Sequence, residues 1–348
     1  MHQQTLLPEW AEQEAVILAW PHNDTDWAAN LSAVRETYLQ LIKQINLTHA
    51  SVVLLCRKSS IATLQQLLPS DAKVIIVAAN YNDTWVRDYG FLTVSDNALN
   101  YPISFQFNGW GQKFDANLDN QINQLLAQHC QQSLVEHDVV LEGGAIEIDE
   151  NQHLLSTASC LFNPKRNGQF SASQYDTLFK EVLGARNVSV LNHGHLEGDD
   201  TDGHIDTLVR FTPLMGIVVQ GADNRTHDEH FGPLFKMQYE VSQIFPQHKI
   251  YSLPLPHVVN EYGERLPASY ANYLILNRHI LMPIYNQVED ADAISVVQSA
   301  YPNYTVVPID CLSVVQQFGS LHCLTMQVPT NTFKTEFLDT CQQGVATL

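Results

Sequence analysis

The amino-acid sequence predicts an α/β fold, because strand-like and helix-like hydrophobic patterns alternate along most of the chain. A unit of strand, strand, helix and strand recurs roughly five times with weak internal similarity, which suggests radial repetition as in propellers. No Gly/Ser-rich, Pro-rich or low-complexity run divides the chain, so residues 1–348 are predicted to form a single catalytic domain. From periodicity alone, a doubly wound sheet is the competing architecture.

The predicted strands are short apolar runs bounded by turn residues. They comprise residues 15–20, 51–56, 73–78, 90–94, 145–148, 154–159, 207–211, 214–220, 271–276, 279–283, 304–308 and 324–328. Helices are predicted where apolar residues recur at three-and-four spacing, most clearly over 27–45. The other predicted helices comprise 60–68, 117–130, 173–183, 230–244 and 291–300.

Acidic residues outnumber basic ones, with 37 Asp and Glu against 18 Lys and Arg. The formal net charge of −19 argues against nucleic acid as a partner, because phosphate binding needs clustered basic side chains. The same charge suits a small cationic substrate, although many enzymes are acidic for solubility alone.

The sequence gives no indication of secretion or membrane insertion. The N-terminal segment lacks the basic region and the apolar core of a signal peptide. No apolar run approaches the length of about 18 residues that a membrane span needs. The six cysteines are irregularly spaced and form no CxxC pair, so we expect a reducing, cytoplasmic location without a disulfide scaffold.

Cys323, near the end of the chain, is the first candidate for chemistry. It lies in a short apolar segment at a predicted junction between a loop and a strand. A free cysteine in such a place is usually inert packing. It becomes a candidate nucleophile if the fold brings a histidine and carboxylates next to it. The sequence contains no serine elbow, Walker loop or dinucleotide fingerprint that would indicate other chemistry.

Two polar segments supply candidate carboxylates. The first is W-V-R-D-Y-G at 85–90, where an Arg–Asp pair stands between bulky apolar residues, and burying charge is costly unless the charge is paired. It is either a structural ion pair or a cation site in which Asp88 binds and Arg87 turns into structure. The second is E-G-G at 142–144, where the glycines either form a plain turn or let Glu142 and the backbone approach a ligand.

The segment G-H-I-D at 203–206 supplies a histidine and a further carboxylate. If the segment is extended, His204 and Asp206 share one face and could combine acid–base catalysis with cation binding. The alternative is an aspartate that only orients a surface histidine. Just upstream, the acidic run 193–202 contains His193 and His195 and could bind a metal ion, although such runs are usually solvated.

Taken together and in this order, the motifs resemble those of the agmatine deiminases, within the guanidine-modifying superfamily. The matching motifs are L-P-E-W at 7–10, A-W-P-H-N at 19–23, W-V-R-D-Y-G at 85–90, E-G-G at 142–144, N-P-K-R-N at 163–167, G-H-I-D at 203–206, S-Y-A-N-Y at 269–273 and H-C-L-T-M-Q at 322–327. The resemblance covers residues 7–329. The chain departs from the family where Phe318 to Leu321 stand in place of a glycine run and where Phe91 replaces a proline.

The resemblance implies a five-bladed, pseudo-fivefold α/β propeller of the pentein type, built of repeated ββαβ units around a narrow active site. It also implies hydrolytic deimination of agmatine to N-carbamoylputrescine and ammonia through a cysteine-linked intermediate. No cofactor or metal is expected, because the substrate brings its own positive charge. The expected partner is a small cationic guanidine, with no nucleic acid and no membrane, and a homodimer is possible within the family.

The resemblance also implies roles for individual side chains. The implied catalytic residues are Cys323, His204, Asp88, Asp206 and Glu142, and the implied substrate-binding residues are Asp88, Asp206, Trp85 and Arg87. Cys323 would attack the guanidinium carbon, and His204 would carry protons to the leaving nitrogen and from the attacking water. The two aspartates would grip the guanidinium nitrogens. Glu142 would either position His204 or hold the guanidinium.

Three alternatives stay open from the sequence. The chain could be a deiminase of another guanidine, namely free, methylated or peptidyl arginine, and an α-carboxylate on the substrate would then need an arginine or backbone donors in the pocket. It could be a guanidinium-binding protein without catalysis, but binding alone needs neither the cysteine nor the histidine. It could be a metal-dependent hydrolase that uses the acidic run.

Overall fold

The computed structural model describes residues 4–348, and strands and helices alternate along them, which confirms the predicted α/β class. The strands are β1 (Thr5–Leu6), β2 (Gln13–Ala19), β3 (Ser51–Cys56), β4 (Val74–Ala78), β5 (Leu92–Ser95), β6 (Asn100–Gln106), β7 (Val135–Val140), β8 (Glu147–Ile148), β9 (His153–Thr157), β10 (Asn187–Leu191), β11 (Val209–Thr212), β12 (Gly216–Gln220), β13 (Lys249–Leu253), β14 (Leu274–Leu276), β15 (His279–Ile284), β16 (Thr305–Asp310), β17 (Met326–Pro329) and β18 (Ala346–Thr347).

Helices follow most of the central strands. They are α1 (Leu31–Leu47), α2 (Ile61–Leu67), α3 (Val86–Tyr89), α4 (Gly109–Gln112), α5 (Ile122–Ala127), α6 (Ala158–Leu161), α7 (Pro164–Asn167), α8 (Ala172–Val182), α9 (Phe231–Ile244), α10 (Asp290–Ala300) and α11 (Thr335–Asp339). Within residues 4–348, no helix combines the length and the apolar character that crossing a membrane requires.

The strands of the described chain form five sheets, each organised around one central strand: β2, β6, β9, β12 or β15. Each central strand pairs antiparallel with one neighbour and parallel with the other. The parallel neighbour follows the central strand after one or more helices, because a parallel connection has to cross back along the sheet. The recurring order is therefore strand, strand, helix and strand.

The sheet around β2 joins the two ends of the chain. Its antiparallel neighbour is β17, in which Met326 pairs with Ile17 and Val328 with Ala15. On the other side β2 is parallel to β3, and β4 and β18 extend the sheet. Residues 15–19 of β2 are fully buried, so this central strand is held between segments from both ends of the sequence.

Helix α1 shows how the sequence pattern becomes packing. Val34, Tyr38, Leu41 and Ile45 recur at helical spacing and are fully buried against the sheets. Burying each such side chain contributes about 1.5–3 kcal/mol. The predicted start at residue 27 was wrong, because residues 26–30 form a separate 3₁₀ turn that buries Trp27.

Six strands were absent from the prediction. β1 and β18 have only two residues each, and the sequences of the other four explain why they were missed. β7, β10 and β13 are parallel neighbours of central strands, and most of their residues are exposed or half-buried, so they lack a continuous apolar run. β6 contains Pro102, which removes a backbone donor and weakens a strand assignment. Conversely, only Glu147–Ile148 of the predicted strand 145–148 belongs to a strand, since residues 143–145 form a 3₁₀ turn.

Candidate active site

The polar segments identified in the sequence occupy equivalent places in the fold, because each lies just before the antiparallel neighbour of a central strand. Asp88 precedes β5, Glu142 precedes β8, His204 precedes β11 and Cys323 precedes β17. A fifth segment, before β14, carries Asn272, which contacts Cys323. All five sheets therefore deliver one polar segment to the same neighbourhood.

Gly144 is the point at which three of these segments meet. A Cβ atom at Gly144 would lie 2.6 Å from His204 Nδ1, 2.9 Å from Asp88 Oδ1 and 3.1 Å from Asp206 Oδ2. His204 Nδ1 itself lies 3.5 Å from Asp88 Oδ1. Any side chain at this position would push the group apart, so the second glycine of E-G-G is needed for the close approach.

His204 and Asp206 come together by a different route from the one predicted. The segment is not extended, because residues 205–207 form a 3₁₀ turn that His204 precedes. Thr201 Oγ1 accepts a hydrogen bond from the His204 backbone amide and fixes the start of the turn. Side-chain alternation was therefore the wrong reason for a proximity that the structure does contain.

Asp88 is buried and is held by two neutral donors. Its Oδ1 accepts from the Gly144 backbone amide at 3.0 Å, and its Oδ2 accepts from Trp110 Nε1 at 2.9 Å. Burial raises the pKa of Asp88 well above its usual range, and the nearby negative charge of Asp206 raises it further. A positively charged group bound beside Asp88 would lower the pKa of Asp88.

Asp206 is buried as well but has a charged partner. Its Oδ2 lies 2.6 Å from His322 Nδ1, while its Oδ1 has no hydrogen-bond partner among the described residues. Burial by itself would raise the pKa of Asp206, but the hydrogen bond and charge of His322 outweigh burial, so the net pKa is lowered. Asp206 therefore stays ionised with one acceptor oxygen unused.

A buried ionic network supports Asp206 from behind. His322 Nε2 lies 2.7 Å from Glu9 Oε2, and Arg210 Nη2 donates to the same oxygen at 2.7 Å. Arg210 Nε also donates to Glu147 Oε2 at 3.2 Å. Both ring nitrogens of His322 face carboxylate oxygens, which are hydrogen-bond acceptors. Burying such a network is costly unless every charge is paired, as these are.

Cys323 lies on a 3₁₀ turn, His322–Leu324, so the predicted strand begins two residues later than expected, at Met326. The thiol lies 3.4 Å from Asn272 Oδ1, which also accepts from the His322 backbone amide at 3.0 Å. Burial raises the pKa of Cys323 well above its usual value, and the charges of Asp206 and Asp88 raise it further. With the site empty, the side chain is a neutral thiol at neutral pH.

Cys323 opens into a cavity of about 190 Å³. Besides Cys323, its described lining includes Trp85, Trp110 and four aspartates, namely Asp26, Asp83, Asp88 and Asp200. The described lining contains no Lys or Arg, so the cavity favours a cationic guest. A larger cavity of about 840 Å³, beside Trp10 and Arg278, has none of the predicted catalytic residues in its described lining.

Trp85 and Arg87 separate in the structure although they are close in sequence. Trp85 lines the cavity, and its ring packs directly on Gly319, where a Cβ atom would clash. Arg87 turns away and donates to Gln327 Oε1 at 2.6 Å and to the His322 carbonyl at 3.4 Å. The described cavity lining does not include Arg87, and its role as a substrate-binding residue stays a prediction.

His204 and Glu142 lie behind Asp88, away from solvent. Both ring nitrogens of His204 are buried without a hydrogen-bond partner among the described residues. Burial is the main reason that the pKa of His204 falls to about 3, so the ring is neutral and able to accept a proton. Glu142 receives Arg166 Nε on both oxygens, at 2.8 and 3.0 Å, which fixes its carboxylate in place.

The acidic run 193–202 serves mainly to build its own loop. Asp199 accepts from the backbone amides of Thr201 and Gly203, and Asp202 pairs with Arg166 and Lys113. In the part of the chain that the structure describes, the one group of three metal-ligand side chains is Glu142, Cys160 and His204. It contains no residue of the predicted metal-binding run.

The sequence reasoning missed several residues of the site. Trp110 orients Asp88, Asn272 contacts Cys323, and Glu9 and His322 support Asp206. Glu9, Asn272 and His322 lie in motifs that were used only to recognise the family. Glu9 stands between Pro8 and Trp10, which could have indicated a buried charge that needs a partner. Trp110 lies between two glycines, with backbone φ near +55°, which was a signal for an unusual local conformation.

Comparisons with known proteins agree with the family resemblance of the sequence motifs. The family model described as Porphyromonas-type peptidyl-arginine deiminase matches residues 5–329. A Vibrio parahaemolyticus protein, provisionally named an agmatine deiminase, is 31% identical over 92% of this chain and 95% of its own. A solved cysteine-to-serine variant of the C. jejuni agmatine deiminase with substrate bound is 31% identical, with a TM-score of 0.88, covering 95% of this chain and 97% of that one. A Porphyromonas gingivalis structure, provisionally named an arginine deiminase, is 39% identical, with a TM-score of 0.88, covering 95% of this chain and 100% of that one.

The electrostatics of the empty site predict that Asp88→Asn makes Cys323 react faster with iodoacetamide at about pH 8. The thiolate is the reacting form, and Asp88 is one of the charges that raise the pKa of Cys323. Losing that charge lowers the thiol pKa, so more thiolate is present at a fixed pH below the pKa and the alkylation rate should rise several-fold. The measurement is the rate at which the Cys323 peptide gains mass.

The matched control is Asp26→Asn. Asp26 lines the same cavity, but its side chain is exposed and screened by water, so its loss should change the alkylation rate by less than about twofold. An Asp88→Asn variant that reacts no faster than the wild type would contradict the electrostatic description of the site.

Proposed function

Because this chain belongs to the Porphyromonas-type peptidyl-arginine deiminase family, we propose that it hydrolyses agmatine to N-carbamoylputrescine and ammonia. The resemblance to agmatine deiminases that the sequence motifs indicated is confirmed by the matches. One observation carries the proposal. Asp88 is a buried carboxylate with only neutral hydrogen-bond donors, in a cavity that also holds the thiol of Cys323.

The guanidinium of the substrate supplies the cation that Asp88 lacks. A guanidinium is planar and presents paired N–H donors, so a carboxylate can accept two of them side by side. Asp88 and the unused Oδ1 of Asp206 are the acceptors for its nitrogens. The bound cation lowers the pKa of Asp88 and of Cys323 together, because it offsets the negative charges that raise them.

Cys323 then acts as the nucleophile. His204 takes the thiol proton, the sulfur bonds to the guanidinium carbon, and the proton passes to the departing nitrogen, which leaves as ammonia. The product of this step is a cationic thiouronium on Cys323. A water molecule gives one proton to His204 and adds to the same carbon, the carbon–sulfur bond breaks, and that proton returns to the sulfur. The second proton of the water is released to solvent as the carbonyl forms, so the ureido product is neutral. The ureido product carries the oxygen of that water.

Glu142 acts on His204 rather than on the substrate in this proposal. Arg166 holds both oxygens of Glu142, and the Glu142 carboxylate lies within 4.8 Å of a His204 ring nitrogen. A buried negative charge so close stabilises the imidazolium that forms when His204 takes the thiol proton.

The cavity lining favours an amine at the far end of the substrate. Asp26, Asp83 and Asp200 line the cavity together with Asp88, and the described lining offers no basic side chain to an α-carboxylate. An aminobutyl tail therefore finds complementary charge where the tail of free arginine meets like charge. Free arginine is the competing substrate, because the Porphyromonas gingivalis structure is provisionally named an arginine deiminase.

We also infer that the five sheets are the blades of a pseudo-fivefold propeller that forms a single domain over 1–348. Support comes from the shared pairing pattern, from the one polar segment that each sheet contributes to the site, and from the closure of β17 on β2. The possible homodimer and the cytoplasmic location stay predictions from the sequence.

Purified protein should release ammonia from agmatine, and Cys323→Ser should lower kcat by about 1,000-fold or more, because the nucleophile is removed. Cys311→Ala removes another buried cysteine and should retain activity. Equal unfolding midpoints for the wild type, Cys323→Ser and Cys311→Ala would show that the substitutions leave the fold intact.

Near-normal turnover by Cys323→Ser would overturn the assignment of Cys323 as the nucleophile. A higher kcat/KM for free arginine would overturn the substrate, and ammonia from neither compound would overturn the function.

Asp200→Asn should raise the KM for agmatine by up to about fivefold, the upper range for a partly exposed ion pair. Butylguanidine has the same chain without the amine, so its KM should stay unchanged in the variant. Steady-state kinetics with both compounds make the comparison. An equal rise in both KM values would indicate a general distortion of the cavity and would contradict the amine contact.

A further inference from the structure

Cys160 is a buried thiol that the proposed reaction does not use. It lies on α6, and its backbone amide donates to Thr157 Oγ1 at 3.4 Å. The sulfur, a Glu142 carboxylate oxygen and a His204 ring nitrogen all lie within 4.8 Å of one another. All three side chains are buried. Thiolate, imidazole and carboxylate are together the ligand types that bind zinc in proteins.

Independently of Cys160, His204 has unused ligand capacity. Both of its ring nitrogens are buried without a hydrogen-bond partner in residues 4–348, whereas buried polar groups are usually satisfied. A neutral imidazole with an available lone pair is the form that binds a metal ion. This second observation distinguishes the group from a chance cluster of a cysteine and an acid.

We propose that Glu142, Cys160 and His204 form a site for Zn²⁺ that reversibly inhibits the enzyme. Tetrahedral zinc ligands stand about 3.3–3.8 Å apart, so side-chain rotations that close the longest separation by about an ångström complete the three protein ligands. Water takes the fourth position. Binding replaces the Cys160 S–H bond by a zinc–sulfur bond and releases one proton to solvent, and no oxidation or reduction occurs.

The surroundings of the group suit a divalent cation. Glu142 can bind the metal with one lone pair and keep its hydrogen bonds from Arg166, because each carboxylate oxygen has two acceptor positions. Asp88, which lines the acidic cavity, has its Oδ1 3.5 Å from His204 Nδ1, so the group lies next to that cavity. The carboxylates of the cavity concentrate cations there.

Inhibition follows from the chemistry of His204 and rests on the proposed function. A ring nitrogen bound to zinc has no lone pair for the thiol proton, and the added positive charge next to Asp88 disfavours a guanidinium. Removing the metal with a chelator restores the lone pair of His204 and the binding of a guanidinium next to Asp88. Metal binding itself does not depend on the reaction, so the two parts can be tested separately.

The binding test uses Co²⁺ as a spectroscopic probe. Titrating Cys323→Ser with Co²⁺ should produce a thiolate-to-cobalt absorption band, because Cys160 remains while the catalytic thiol is absent. The band should be lost in Cys160→Ala/Cys323→Ser and in His204→Asn/Cys323→Ser. Two double variants are used so that one misfolded protein does not decide the result. A band that survives both substitutions, or no band in Cys323→Ser, would overturn the site whether or not the enzyme acts on agmatine.

The inhibition test compares chelator-treated enzymes with and without Zn²⁺. Wild type should lose at least about tenfold in activity at saturating Zn²⁺ and recover it on chelation. Cys160→Ala should keep its metal-free activity and need at least about tenfold more Zn²⁺ for the same loss, while Cys311→Ala, another buried cysteine, should behave like the wild type. Equal zinc sensitivity in Cys160→Ala and wild type would assign the inhibition to Cys323 and overturn the proposal.

Discussion

A buried carboxylate without a cationic hydrogen-bond donor, Asp88, is the constraint on which the rest of the site depends. Three other buried acids of the site have cationic partners within the protein: Glu9 pairs with Arg210 and His322, Asp206 pairs with His322, and Glu142 pairs with Arg166. The donors to Asp88 are a backbone amide and an indole, which orient the carboxylate without neutralising it. A cationic ligand would supply the positive charge that Asp88 lacks, so the electrostatics of the empty site favour a cationic substrate.

The same constraint links substrate binding to the reactivity of the thiol. In the empty site, burial and two carboxylates keep Cys323 protonated, which protects it from unwanted reactions. His204 is kept neutral by burial, so the proton acceptor is ready before the substrate arrives. A bound guanidinium lowers the pKa of Asp88 and of Cys323 at the same time, because its positive charge stabilises both ionised forms. A neutral analogue of the same shape would bind without activating the sulfur.

The sequence allowed the α/β class, the recurring unit and most catalytic candidates to be predicted, because each rests on local patterns. Apolar runs identified four of the five central strands, β2, β9, β12 and β15, and polar residues interrupting such runs identified Asp88, His204 and Cys323 as candidates. Partners contributed from distant parts of the chain were not predictable in this way. The role of Glu9 depends on a histidine at the other end of the sequence, and the turn of Arg87 towards Gln327 depends on how α3 packs against β17.

The fold explains why such distant residues meet. Each sheet contributes one segment before an antiparallel strand, and glycine at position 144 leaves the space in which those segments approach. The central claim is that the guanidinium held there is attacked by Cys323. The most direct measurement is the mass of the protein quenched with acid during agmatine turnover. The account predicts an adduct of agmatine minus ammonia on the peptide that contains Cys323. Steady turnover without that adduct, or with the adduct on another residue, would contradict it.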